Sequence, residues 1–175
     1  VSVLASDYTD ALALAAIKII FKYLPRAFAD GSDAEAREKM HNASCMAGMA
    51  FSNAFLGINH SLAHKVGAEF PISHGRANAV LLPYVIAYNA KKPDKFTIWP
   101  KNEVFAADRR YAEIAEAIGR AGKTVEEGVE NLIGAVRELM ETLEMPQSFK
   151  ACGVDKKEFE SRISTLADRA YEDQC

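Results

Sequence analysis

No stretch of this chain alternates apolar and polar residues as a half-buried strand must, and no hairpin dipeptide stands between two such runs. Apolar residues recur instead at helical spacing, and cap residues, glycines and prolines punctuate them. That pattern predicts an all-α helical bundle. Thr9 is a cap candidate for a buried helix over 9–24, with Pro25 just beyond it. Asp33 opens a helix over 33–56 whose second half is rich in Ala, Ser and Gly. Small residues let helices approach closely, which places this helix in the middle of the bundle. Helices are further expected over 59–70, closed by Pro71, and over 75–90, kinked at Pro83. Residues 91–103 read as an exposed loop, followed by a short helix over 107–119. Thr124 with Glu127 and Asp155 with Glu158 form capping boxes opening the last two helices, to about 143 and 172.

Composition excludes several classes. In 175 residues, 49% apolar and 26% charged, neither disorder nor a collagen-like repeat is at home. A chain of this length buries roughly two-thirds of its unfolded surface, so its core needs no disulfide or metal. A net charge of −3 without a Lys/Arg cluster gives nucleic acid no footprint. Cys45, Cys152 and Cys175 are odd in number and far apart, and read as free thiols of a reducing, cytoplasmic compartment. No apolar run reaches the ~18 residues of a membrane span. Residues 11–21 come closest and are interrupted by Lys18. No repeat or linker divides the chain, so a single helical domain over 1–175 is expected. It opens at Val1, not Met, and stops at Cys175 without a tail, so it is expected to be incomplete at both ends.

The chemistry concentrates in GINHSLAHKVGAEFPISHG. His60 and His64 are four apart and share a helix face, and His74 opens the next helix, able to fold back on them. Imidazoles at that spacing chelate zinc, iron or nickel. The alternative is a surface or interface pair with a third histidine by chance, and spacing alone leaves both open. Glu69 lies well around the helix from the histidine line and makes a poor fourth ligand. His41 stands among charges and reads as solvated. Phe96 and Trp99 read as a cover for the core or a docking patch, and the small residues around Gly48 and Ala50 as tight helix packing. Nucleotide-binding glycine motifs, G-x-S-x-G and C-x-x-C are all missing.

The run AGMAFSNAFLGINHSLAHKVGAEFPISHGRANAVLLPYVIAYNA resembles the signature region of the iron-containing (dehydroquinate synthase-like) alcohol dehydrogenases. The opening VSVLASDYTDALALAAIKIIFKYLP is similar to the segment just before it. DRRYAEIAEAIG and LADRAYEDQC are similar to the alcohol dehydrogenase half of bifunctional aldehyde–alcohol dehydrogenases. The resemblance spans essentially the whole chain. It implies the C-terminal metal-binding helical domain of an NAD-dependent enzyme that interconverts acetaldehyde, or another short aldehyde, with its alcohol. It also implies one Fe²⁺ held by an Asp and three His, with Zn²⁺ a possible substitute. Two of those ligands fall on His60 and His74. His64 matches a further, catalytic histidine beside the nicotinamide, and Phe51 a position on the cofactor side of the cleft. The family's Asp-x-x-x-His ligand pair precedes this segment. Asp7 and Asp10 have no His four residues on, and no NAD-binding α/β domain is encoded here. The chain alone is therefore expected to be inactive, although the bifunctional relatives also assemble into homo-oligomers and filaments. A non-catalytic oligomerisation module and a stand-alone carrier of metal on His60, His64 and His74 are the other two readings. The alcohol preferred and the choice of NAD or NADP are not legible in these residues.

Overall fold

A computed structural model describes residues 1–92 and 105–173. Among them it holds seven helices and no strand. They are α1 Asp7–Ala29, α2 Ala34–Ala54, α3 Ile58–Glu69, α4 His74–Asn89, α5 Ala107–Ala117, α6 Val125–Thr142 and α7 Lys156–Tyr171. None of these helices is long and apolar enough to cross a membrane. Most of the 91–103 loop, with Phe96 and Trp99, lies outside the described residues, as does Cys175. The chain forms two compact units, one of residues 1–55 and 86–135, the other of 56–85 and 136–175.

Three of the expected caps act where the sequence put them. Asp33 accepts the Ala36 N–H at 3.0 Å, Asp155 the Glu158 N–H at 2.9 Å, and Thr124 the Glu127 N–H at 3.2 Å. Neither glutamate completes its box. Glu127 accepts from the N–H of Lys123, and Glu158 pairs with Arg162. The first helix begins earlier than expected. Ser6 is its N-cap, and Thr9 is the third residue of a Ser6–Thr9 capping box. Pro25 lies inside α1 and does not end it. A proline removes one backbone hydrogen bond, and here that loss falls in the last turns of the helix.

In the first unit, α1 and α2 form an antiparallel hairpin. Tyr23 Oη donates to Glu35 at 3.3 Å near the connecting turn, and Ser2 Oγ donates to the Ala54 carbonyl at the open end. The buried residues of α1 are Thr9, Ala16 and Tyr23, seven apart; α2 buries Ala36, Ala43 and Ala50 at the same interval, and Ala54 one turn further on. This is a narrow seam made mostly of small side chains, which lets the two backbones come close. It corrects two expectations. α1 is buried only along that line, and α2 is not central, with Met49 and Phe51 nearly half exposed. Arg110 on α5 pairs with Asp10 on α1. Asn89 donates to the Tyr111 hydroxyl at 3.2 Å.

The second unit has its own core. Ala63 and Val66 of α3, Phe70, Ile72, Ala77 of α4, Val154 and Leu166 of α7 are buried together. Phe159 bridges this cluster, with ring centroids 5.8 Å from Phe70 and 5.4 Å from Phe149. α3 packs on α7, so this core fixes the orientation of α3 and of the residues that follow it.

A histidine cluster where α3 meets α4

Gly57 starts α3 as its N-cap, and the helix carries His60 and His64 one turn apart. The Phe70 N–H closes on the Val66 carbonyl at 2.9 Å and ends the helix before Pro71. Ile72, buried in the core, fixes the short connection, and His74 is the first residue of α4. The chain thereby folds back, and the three imidazoles converge. Ring centroids are 5.3 Å apart for His60 and His74, 5.2 Å for His64 and His74, and 6.1 Å for His60 and His64.

A divalent metal bonds an imidazole nitrogen at about 2.1 Å, which puts two ligating ring centroids roughly 4.5–5.2 Å apart for angles from right to tetrahedral. His74 stands near that separation from both other rings, whereas His60 and His64 are too far from each other. Among the described residues, no group of three or more His, Cys, Asp and Glu side chains is arranged to hold a metal. Two imidazole rings with centroids at this separation fit two corners of a coordination shell.

The chemical state of the rings suits that role. Burial, and then the neighbouring His74 and His64, push the His60 pKa below the ordinary imidazole value. His60 is therefore neutral at neutral pH, the form that ligates. Asn78 Nδ2 lies 3.1 Å from His74 Nε2 and 3.1 Å from the His74 carbonyl. The amide donates to both, so Nε2 carries a lone pair, and a metal there would take the amide's place. Asn59 Nδ2 in turn donates to Asn78 Oδ1 at 2.7 Å and fixes which way that amide faces. The Oδ1 of Asn59 is buried without a hydrogen-bond partner.

On the third ring, Nδ1 of His64 lies 3.3 Å from Asp173 Oδ2, which also meets Lys65 Nζ at 2.7 Å. Glu69 is engaged by Arg162 and lies 3.9 Å from Arg169, so it serves the α3–α7 contact. His41 is exposed on α2. Phe51 lies on α2 in the first unit with its side chain open to solvent. Sequence reasoning missed Asn78 and Asp173. Asn78 carried a signal, standing four residues after His74 on one helix. Asp173 carried none, being 109 residues from His64.

Comparison with known proteins gives one consistent result. The model of the Fe-containing alcohol dehydrogenase family, C-terminal, matches residues 1–175. An aldehyde-alcohol dehydrogenase of Streptococcus pneumoniae serotype 4 is 53% identical over 175 residues, which are all of this chain and 20% of that protein. The NADPH-dependent butanol dehydrogenase of Clostridium saccharobutylicum is 45% identical over 100% of this chain and 41% of its own length. The solved alcohol dehydrogenase from Oenococcus oeni superposes with a TM-score of 0.84 at 34% identity, covering 99% of this chain and 41% of that one. The chain thus spans a fifth to two-fifths of these relatives.

Proposed function

The chain belongs to the Fe-containing alcohol dehydrogenase family, and from that premise we propose that it is the helical, metal-holding part of an NAD-dependent alcohol dehydrogenase. The complete enzyme interconverts a short aldehyde such as acetaldehyde with its alcohol, and an N-terminal domain supplies the nicotinamide site. The observation that carries this reading is the convergence of His60, His64 and His74 where α3 meets α4, inside a family match that covers the whole chain.

His60 and His74 are the residues that would hold Fe²⁺, or Zn²⁺ in its place. Both offer imidazole nitrogen, which suits either metal. When bound, such a metal is a Lewis acid toward a carbonyl or alcohol oxygen, while the hydride belongs to the nicotinamide. The chain's own contribution is placement. The Ile72 anchor brings the α4 histidine back over the α3 pair. His60 is kept neutral and ready to ligate. Asn78, steadied by Asn59, holds the His74 ring. His64 stands beside His60 and His74 without serving as a ligand and acts on the cofactor side. The whole enzyme is a homo-oligomer on this reading.

The test compares His60→Ala, His74→Ala and His64→Ala in the complete enzyme, reading iron content by elemental analysis and anaerobic ethanol-dependent NAD reduction. The first two are expected to lose iron and turnover together. His64→Ala is expected to keep its iron and lose turnover. A His74→Ala enzyme that retains both would refute the assignment. The 175-residue chain by itself is expected to give no turnover with added Fe²⁺ and NAD.

A further inference from the structure

We propose that Asp173 is a positioning residue for His64, holding the imidazole in a single tautomer and orientation through Nδ1. The inference rests on the reading above that His64 acts beside the cofactor and is not a metal ligand. Asp173 Oδ2 is 3.3 Å from His64 Nδ1 and 2.7 Å from Lys65 Nζ. Its side chain is 12% exposed, against 37% for His64, so the carboxylate is the enclosed member of the pair.

The chemistry follows from what each group can do. An ionised carboxylate only accepts hydrogen bonds, so the proton of a neutral His64 ring must reside on Nδ1. Nε2 is then the acceptor, the atom able to take a proton or hydrogen bond from a substrate or cofactor hydroxyl. The Lys65 ammonium beside the same oxygen favours the ionised carboxylate. The other nearby acid is not a competitor, because Glu69 is occupied by Arg162. Asp173 lies just after α7, whose buried Leu166 and Ala170 seat the helix. Its position is therefore set by the core of the second unit, not by the local chain around His64.

The experiment uses Asp173→Asn, Asp173→Glu, Lys65→Met and His64→Gln in the complete, zinc-loaded enzyme. Histidine ¹⁵N–¹H spectra report the tautomer, His64 being the ring whose signals vanish in His64→Gln. Asp173→Asn removes the obligate acceptor, and the His64 ring is expected to become a mixture of tautomers. The kcat is expected to fall about 10- to 100-fold, the usual effect of removing a group that orients a site histidine, with KM changing less. Asp173→Glu is expected to recover part of the kcat and the single tautomer. Lys65→Met, which deletes the ammonium beside Asp173, is expected to leave the His64 tautomer in place. An Asp173→Asn enzyme with an unchanged tautomer and kcat, or one that is merely less heat-stable, overturns the inference. Full turnover in His64→Gln instead overturns the reading of His64 on which it rests.

Discussion

Two glycines of α6, Gly128 and Gly134, set opposing effects against each other in one helix. A glycine inside a helix costs about 0.8–1.0 kcal/mol relative to alanine, so replacement by alanine stabilises wherever there is room. At Gly134 a Cβ would meet nothing within 4 Å. At Gly128 it would stand 2.8 Å from the Ala112 Cβ and 3.1 Å from the Ala112 Cα, closer than carbon atoms pack. Part of that obstruction is backbone, which cannot swing aside, and overpacking of this kind costs about 1–3 kcal/mol. Gly134→Ala is therefore expected to stabilise by about 0.8–1.0 kcal/mol, and Gly128→Ala to be neutral or to destabilise by up to about 2 kcal/mol. In a chain of this size each kcal/mol moves Tm by about 2–4 °C, so the two variants should differ by roughly 2–12 °C. Urea midpoints at constant slope give the same comparison. The double variant Ala112→Gly/Gly128→Ala should be less destabilised than the sum of the two single changes, since it removes the side-chain part of the clash and neighbouring sites couple. If Gly128→Ala stabilises as much as Gly134→Ala, α5 and α6 do not approach this closely and the reasoning fails.

Other expectations follow from the two cores. Phe70→Ala removes a ring that is 5% exposed and packed on Phe159, and should cost about 3–5 kcal/mol by urea denaturation. A loss under 1 kcal/mol would mean that the α3–α7 core is not closed as described. Tyr111 should titrate above the ordinary phenol range, because burial raises its pKa more than the Asn89 hydrogen bond lowers it. A folded-state pKa raised above the unfolded value confers stability that is fully present below the ordinary phenol range and is lost as pH climbs through the folded value. Tyr111→Phe should therefore flatten the alkaline limb of the stability curve. A Tyr111 that ionises at 295 nm together with the exposed tyrosines would contradict this.

Much of the architecture was legible because helices announce themselves locally. Asp33, Thr124 and Asp155 each cap the helix that the sequence assigned to them. Pro25 misled because a proline signal is local while helix continuation depends on the contacts on either side of it, here Tyr23 in the seam and Arg26 bridging to Asp33 and Glu35. The small residues of α2 did report close approach, but those that are buried, Ala36, Ala43, Ala50 and Ala54, fill one narrow line, so they marked a two-helix seam and not a central position. The histidine cluster was visible because its members fall within fifteen residues, and spacing alone could not choose among them. The carboxylate at His64 was invisible for the opposite reason. It arrives from the far end of the chain through a core contact, and no periodicity encodes that.

The division of the second unit into 56–85 and 136–175 sets the order in which the molecule can be assembled during synthesis. The α1–α2 seam joins segments only a few residues apart and can close soon after both have left the ribosome. The core of Val66, Phe70 and Leu166 must wait until an intervening fifty-residue stretch has been made, because its halves close a long loop. Asp173 reaches His64 later still. Until then the histidines stand on α3 and α4 without the α7 side of their apolar core. The three rings can therefore converge only after α7 has been made, because the core that aims them is closed from that side.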